Sequence, residues 1–110
     1  MEKWIYAVFA VCQDPSREKE FLEWLDKIHL PDMLETPGVI RAAHYEIRNP
    51  VDGHGKFLTL YHIETEDIDQ TMAAMRENVA QRKKQGRMSE LGNVISRAHY
   101  RQITEPQMPR

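Results

Sequence analysis

The sequence predicts an α+β domain of βαββαβ order, one antiparallel four-stranded sheet carrying two helices on one face. Three observations point there. Four apolar stretches of strand length, rich in β-branched and aromatic residues, are divided by two stretches with helical spacing. Helix-start and turn residues fall between them. The chain of 110 residues has room for a single core, so residues 1–104 are expected to form one domain and residues 105–110 a loose tail.

Trp4 to Cys12 is apolar at both parities and reads as a strand covered on both faces. Asp14 followed by Pro15 supplies an N-cap acceptor and a first-turn proline. Phe21, Trp24, Leu25 and Ile28 then recur at the spacing of one helical face. Pro31 is expected to break or kink that helix, and Pro37-Gly38 to turn the chain. Val39 to Ile47 and Phe57 to Glu64 read as the second and third strands, with the turn-rich stretch Asn49 to Gly55 as their hairpin. Thr65 is expected to cap the second helix, with Glu66, Asp67 and Asp69 in its first turn. Ile68, Met72, Met75 and Val79 form its buried stripe, Arg82, Lys83 and Lys84 suit its C-terminal end, and Gly86 stops it. Val94 to Ile103 is the last strand. This order is the split βαβ arrangement of ferredoxin-like folds.

Composition bounds the function. A hydrophobic fraction of 41% and a charged fraction of 29% are those of an ordinary globular protein. With 15 basic and 17 acidic residues the net charge is -2, which argues against a nucleic-acid partner. Cys12 is the only cysteine, so no internal disulfide forms and a reducing cytoplasm is the expected compartment. The N-terminal apolar run is too short to span a membrane and lacks signal-peptide flanks, so no membrane association is expected.

In this fold one sheet face has no helix over it, yet the strands are apolar at both parities. A second copy, with two sheets face to face around a pocket, covers that face symmetrically. A different protein is the alternative cover.

Each strand contributes one tyrosine: Tyr6, Tyr45, Tyr61 and Tyr100. Three strands carry a histidine beside it, in His44-Tyr45, Tyr61-His62 and His99-Tyr100, and neighbours on a strand point to opposite faces. One set is expected on the helix side and the other in the dimer cavity. Leu58 and Leu60 look like helix-packing residues, which places Thr59 and Tyr61 in the cavity, joined by Arg41 and Tyr45, or by Ser96 and Tyr100. Read structurally instead, the tyrosines are packing residues with their hydroxyls at a partner or in solvent.

His29 stands out among the titratable groups. It follows the apolar stripe, lies at the edge of the buried face and precedes Pro31 by two positions. A histidine at the mouth of a cavity can take and give a proton near neutral pH. The alternative is a histidine favoured only by the helix C-terminal dipole. No metal is expected, because the histidines lack ligand spacing and Arg97 and Arg101 oppose a cation near His99. No phosphate loop, nucleophile elbow or dinucleotide fingerprint is present, so no cofactor is expected. Cys12 reads as an inert core thiol, and the loop Gly86 to Asn93 as either a lid or a plain connection.

The stretch Phe21-Leu22-Glu23-Trp24-Leu25-Asp26-Lys27-Ile28-His29-Leu30-Pro31, followed by Thr36-Pro37-Gly38-Val39, resembles the EthD-like branch of the dimeric α+β barrel superfamily. Gly55 to Tyr61 resembles the third strand of the same group. The resemblance implies a homodimer with a small apolar or aromatic ligand inside a barrel-like shell. It implies relatives among cofactor-independent monooxygenases, polyketide cyclases and dehydratases, lactone isomerases, and proteins accessory to degradative oxygenases. The family's histidine falls on His29.

The expected function is therefore metal-free and nucleotide-free proton transfer on a small aromatic or polyketide-like molecule, with His29 as shuttle and Tyr61 as hydrogen-bond donor. Tyr6, Trp24, Tyr45, Thr59 and Tyr100 are the expected ligand contacts. The alternatives are a binding or accessory protein using the same pocket, and a structural dimer with a filled core.

Overall fold

The computed structural model describes residues 1–110. Four strands, β1 (Glu2–Cys12), β2 (Val39–Glu46), β3 (Phe57–Thr65) and β4 (Gly92–Arg101), form one antiparallel sheet in the order β2-β3-β1-β4. The first helical run starts with a 3-10 turn at Pro15–Arg17, capped by Asp14, whose carboxylate accepts from the Ser16 N–H. It continues as α1 (Glu18–Trp24), a π-helical turn (Leu25–His29) and α2 (Leu30–Met33). The second helix, α3, spans Ile68–Lys84. Both runs lie on one face of the sheet, the expected ferredoxin-like fold.

Pro31 does not end the first helix. The Leu30 N–H reaches back five residues to the Leu25 carbonyl, widening the coil just before a residue that has no N–H to give. At α3 the cap is Asp67 rather than Thr65. The Asp67 carboxylate accepts from the Gln70 N–H at 3.2 Å, while Thr65 ends β3 and its hydroxyl accepts from the Asp67 N–H. An aspartate at the true N-cap outcompetes a threonine two residues earlier, where the chain is still extended.

The sheet faces differ from expectation. Phe57, Thr59, Tyr61 and Ile63 are buried under the helices, and Leu58 and Leu60 lie on the open face, half-buried. Both parities are apolar, so alternation alone carries no sign. The histidine-tyrosine pairs are mixed as well. Register places Tyr6, Tyr61, His44 and His99 on the helix side, and His62, Tyr45 and Tyr100 on the open side. Bulges beside Val39 in β2 and beside Phe9 and Ala10 on β1 shift the phase on both flanks.

The helix-side core is divided. One cluster gathers Tyr6, Leu30, Met33, Val39, Tyr61, Ile63, Met72 and Met75, and the other Cys12, Phe21, Leu25, Phe57 and Leu91. The first joins residues of β1, β2 and β3 to α2 and α3. Nothing from β4 enters either cluster except Leu91 just before it, and Val94, Arg97 and His99 stay exposed on the helix side. Cys12 is buried, its Sγ 3.1 Å from the Asp14 carbonyl. No helix is long and apolar enough to cross a membrane.

Candidate functional site

A cavity of about 840 Å³ lies between the sheet and the helices and draws its walls from both core clusters. Its size falls within the range of small-molecule sites. It lies inside a single chain, on the helix side, and not between two facing sheets as the sequence suggested. A second depression, between the first helical run and β2, is open to solvent and lined by four charged residues, Glu18, Lys19, Glu23 and Asp26, together with four apolar ones and His44.

Of the residues singled out in the sequence, His29, Tyr61, Tyr6, Trp24 and Thr59 all line the cavity. Tyr45 and Tyr100 do not. They sit on the open sheet face, each about half exposed, because the bulged register of β2 and β4 turns them away from the helices.

The π turn sets the position of His29 at its last residue. Its imidazole stacks on the Trp24 indole, centroids 4.6 Å apart. Trp24 in turn stacks on Phe21 at 6.0 Å, and Phe21 meets Phe57 at the same distance. This aromatic wall covers one face of the imidazole, and His29 is half-buried. Burial pushes the His29 pKa down to about 4, the nearby His44 pushes the same way, and Asp32 opposes them. His29 is therefore neutral at neutral pH.

Across the cavity Tyr6 and Tyr61 face each other on neighbouring strands, rings stacked at 5.8 Å. Burial raises the pKa of both phenols, and Tyr6 adds to the effect on Tyr61. Each remains a protonated donor over the working range.

His44 was not among the residues expected to act. It reaches under the helices from β2, its Nδ1 2.9 Å from the Thr59 hydroxyl, and its buried Nε2 has no hydrogen-bond partner. Burial lowers its pKa, and the Leu25 carbonyl partly offsets this. Sequence order shows His44 only as one of an alternating pair, with nothing to mark the side it takes.

The loop between α3 and β4 closes one end. The Trp24 indole N–H donates to the Arg87 carbonyl at 2.8 Å, and the Arg87 guanidinium grips the buried Asp32 carboxylate at 2.7 and 2.9 Å. Met88 and Ser89 of this loop line the cavity. Arg87, next to Met88, thus ties this segment to the first helical run at two points.

Residues 3–94 match the family model described as a domain of unknown function, DUF4286. The chain belongs to this family. Comparison with curated proteins gave no match. Among solved structures, similarity extends to a dimeric ferredoxin-like protein from an uncultured marine organism (10% identity over 96% of this chain and 100% of that one, TM-score 0.66). A proposed antibiotic biosynthesis monooxygenase from Bordetella bronchiseptica is also similar (14%, 94% and 100%, TM-score 0.62). So is an EthD family protein from Bacillus halodurans (17%, 89% and 97%, TM-score 0.50). At these identities the likeness establishes the fold. The EthD-like resemblance of the first helix and its exit holds at that level, and this DUF4286 chain shares its architecture with dimeric ferredoxin-like proteins.

Proposed function

We propose that the cavity binds a small aromatic or polyketide-like molecule and that the chain acts on it by proton transfer without a cofactor, as a cyclase, isomerase, dehydratase or monooxygenase does. The supporting observation is the pairing, across one apolar cavity, of an imidazole held neutral with a phenol held protonated. Environments that push two titratable groups apart in this way suit one as base and the other as donor. His29 accepts a proton from the substrate, and its strongly acidic conjugate acid returns it quickly. Tyr61 hydrogen-bonds the oxyanion that develops meanwhile. A weakly basic imidazole suits a proton that is already acidic, such as that of a methylene between two carbonyls.

The working unit in this reading is a homodimer. Phe9, Leu58, Leu60, Tyr45 and Tyr100 leave the open sheet face largely apolar, and a second copy covers it.

The same pKa gap favours a second reading, a binding or accessory protein that holds an intermediate for another enzyme, because the gap makes transfer between the two groups costly. Native mass spectrometry of freshly purified protein tests the pocket through a co-purified small molecule. An empty protein that also ignores a panel of aromatic and polyketide-like compounds would sink both readings. With a bound compound in hand, His29→Ala separates them: loss of turnover with retained binding supports the enzyme, and absence of turnover in the wild type supports the accessory role.

A further inference from the structure

The cavity opens beside β4, and its mouth carries charge that the proton-transfer reading does not use. Arg97 on β4 and Arg76 on α3 both line it from opposite walls and are exposed. Arg17, Arg82, Arg87 and Arg101 each pair with a carboxylate, whereas Arg76 and Arg97 have no ion-pair partner. Tyr6 lies below them: Arg97 stands opposite Val8 in the β1–β4 register, one same-face step along β1 from Tyr6. Both guanidinium charges are felt at the Tyr6 phenol, where they offset part of the effect of burial.

We propose that Arg76 and Arg97 hold a carboxylate of the cavity's ligand, so that the substrate class is a small amphipathic acid with its aromatic or polyketide-like body in the apolar cavity. This rests on the small-molecule reading of the cavity and narrows it. Two unpaired guanidiniums at the end of an apolar cavity match the planar acceptor geometry of a carboxylate. The other charged group on the lining is Asp69, in the first turn of α3. It lies seven positions before Arg76, about 10 Å along the helix axis, too far to neutralise it. With two guanidiniums against one carboxylate on the lining, the mouth suits a singly charged carboxylate better than a dianionic phosphate.

The test compares 2-naphthoic acid with 2-naphthamide by titration calorimetry at neutral pH and low salt, using the full chain. The wild type should bind the acid about ten-fold or more tighter than the amide. Arg76→Gln with Arg97→Gln should remove that preference by weakening the acid about ten-fold more than the amide, while Arg76→Lys with Arg97→Lys should keep part of it. Equal affinities for acid and amide in the wild type would overturn the proposal but not the cavity reading. An equal loss for both probes in the glutamine variant, or a change only in oligomeric state, would also overturn it. Failure of the wild type to bind either probe would overturn the cavity reading and this proposal together.

Discussion

The imidazole of His29 lies nearly parallel to the indole of Trp24, the ring planes 19° apart. The indole is itself fixed through its N–H to the Arg87 carbonyl, so one tryptophan joins the loop after α3 to the candidate base. Trp24→Leu should admit water to the imidazole, and the His29 pKa should rise from about 4 toward 6.5. Following the His29 ring resonances by NMR across pH measures this directly. An unchanged titration would mean that the stack is not what keeps the ring dry.

The same burial links stability to pH. His29 has a folded value of about 4 against 6.5 in the unfolded chain, so between these values the unfolded chain binds the extra proton. The stabilisation is fully present above 6.5 and is lost as pH falls toward 4. For a partly accessible group it amounts to at most about 3 kcal/mol. His44 is shifted in the same direction and adds to it. Asp32, lowered from 3.8 chiefly by its Arg87 hydrogen bonds, loses its contribution only at more acid pH. Urea unfolding at successive pH values should show the histidine slope, and His29→Asn should flatten it. A variant with the parent's slope would assign the protons elsewhere.

Much of the fold is legible in the sequence because its signals are local. Asp14-Pro15 starts a helix, Pro37-Gly38 turns the chain with Gly38 at φ 94°, and the α3 stripe of Ile68, Met72, Met75 and Val79 packs as spaced. Which face each strand turns inward is not local. Leu58 and Leu60 are as apolar as Phe57 and Ile63, and only the helices above decide which pair they cover. The site inherits this limit. His29, Trp24, Tyr6, Thr59 and Tyr61 converge, while Tyr45 and Tyr100, of the same residue type and strand context, turn away. His44 meets Thr59 through a pairing between β2 and β3 that depends on a bulge next to Val39.

Asp32 is the ionic anchor of the cavity wall. It is 4% exposed, accepts two hydrogen bonds from Arg87 and lies 3.5 Å from Arg82. Asn78 adds a bond to its backbone carbonyl and another to Thr36. Asp32→Ala leaves both arginines facing a vacated site and should cost about 2 kcal/mol, less than a fully interior pair because both arginines keep contact with solvent. Arg87→Ala leaves Arg82 beside the carboxylate and should cost less, while hydrogen exchange in the segment around Met88 speeds up. Equal and negligible losses in denaturant unfolding would mean that the loop is held by Trp24 and Leu91 alone.

The proposed dimer face can be tested without touching the core. Leu60 lies on the open side of the central pair of strands, opposite Ala7 on β1 and Ala43 on β2. A charge there meets solvent in an isolated chain but would be buried unpaired between two packed sheets, at a cost of several kcal/mol. Leu60→Lys should therefore convert a two-chain species into a one-chain species in sedimentation equilibrium and leave the circular dichroism spectrum unchanged. The cavity lies on the other side of the sheet, so the one-chain form should also retain ligand binding within a few-fold. A variant that stays dimeric would move the interface off the sheet face. A monomer that no longer binds would mean that the second copy shapes the cavity through the sheet.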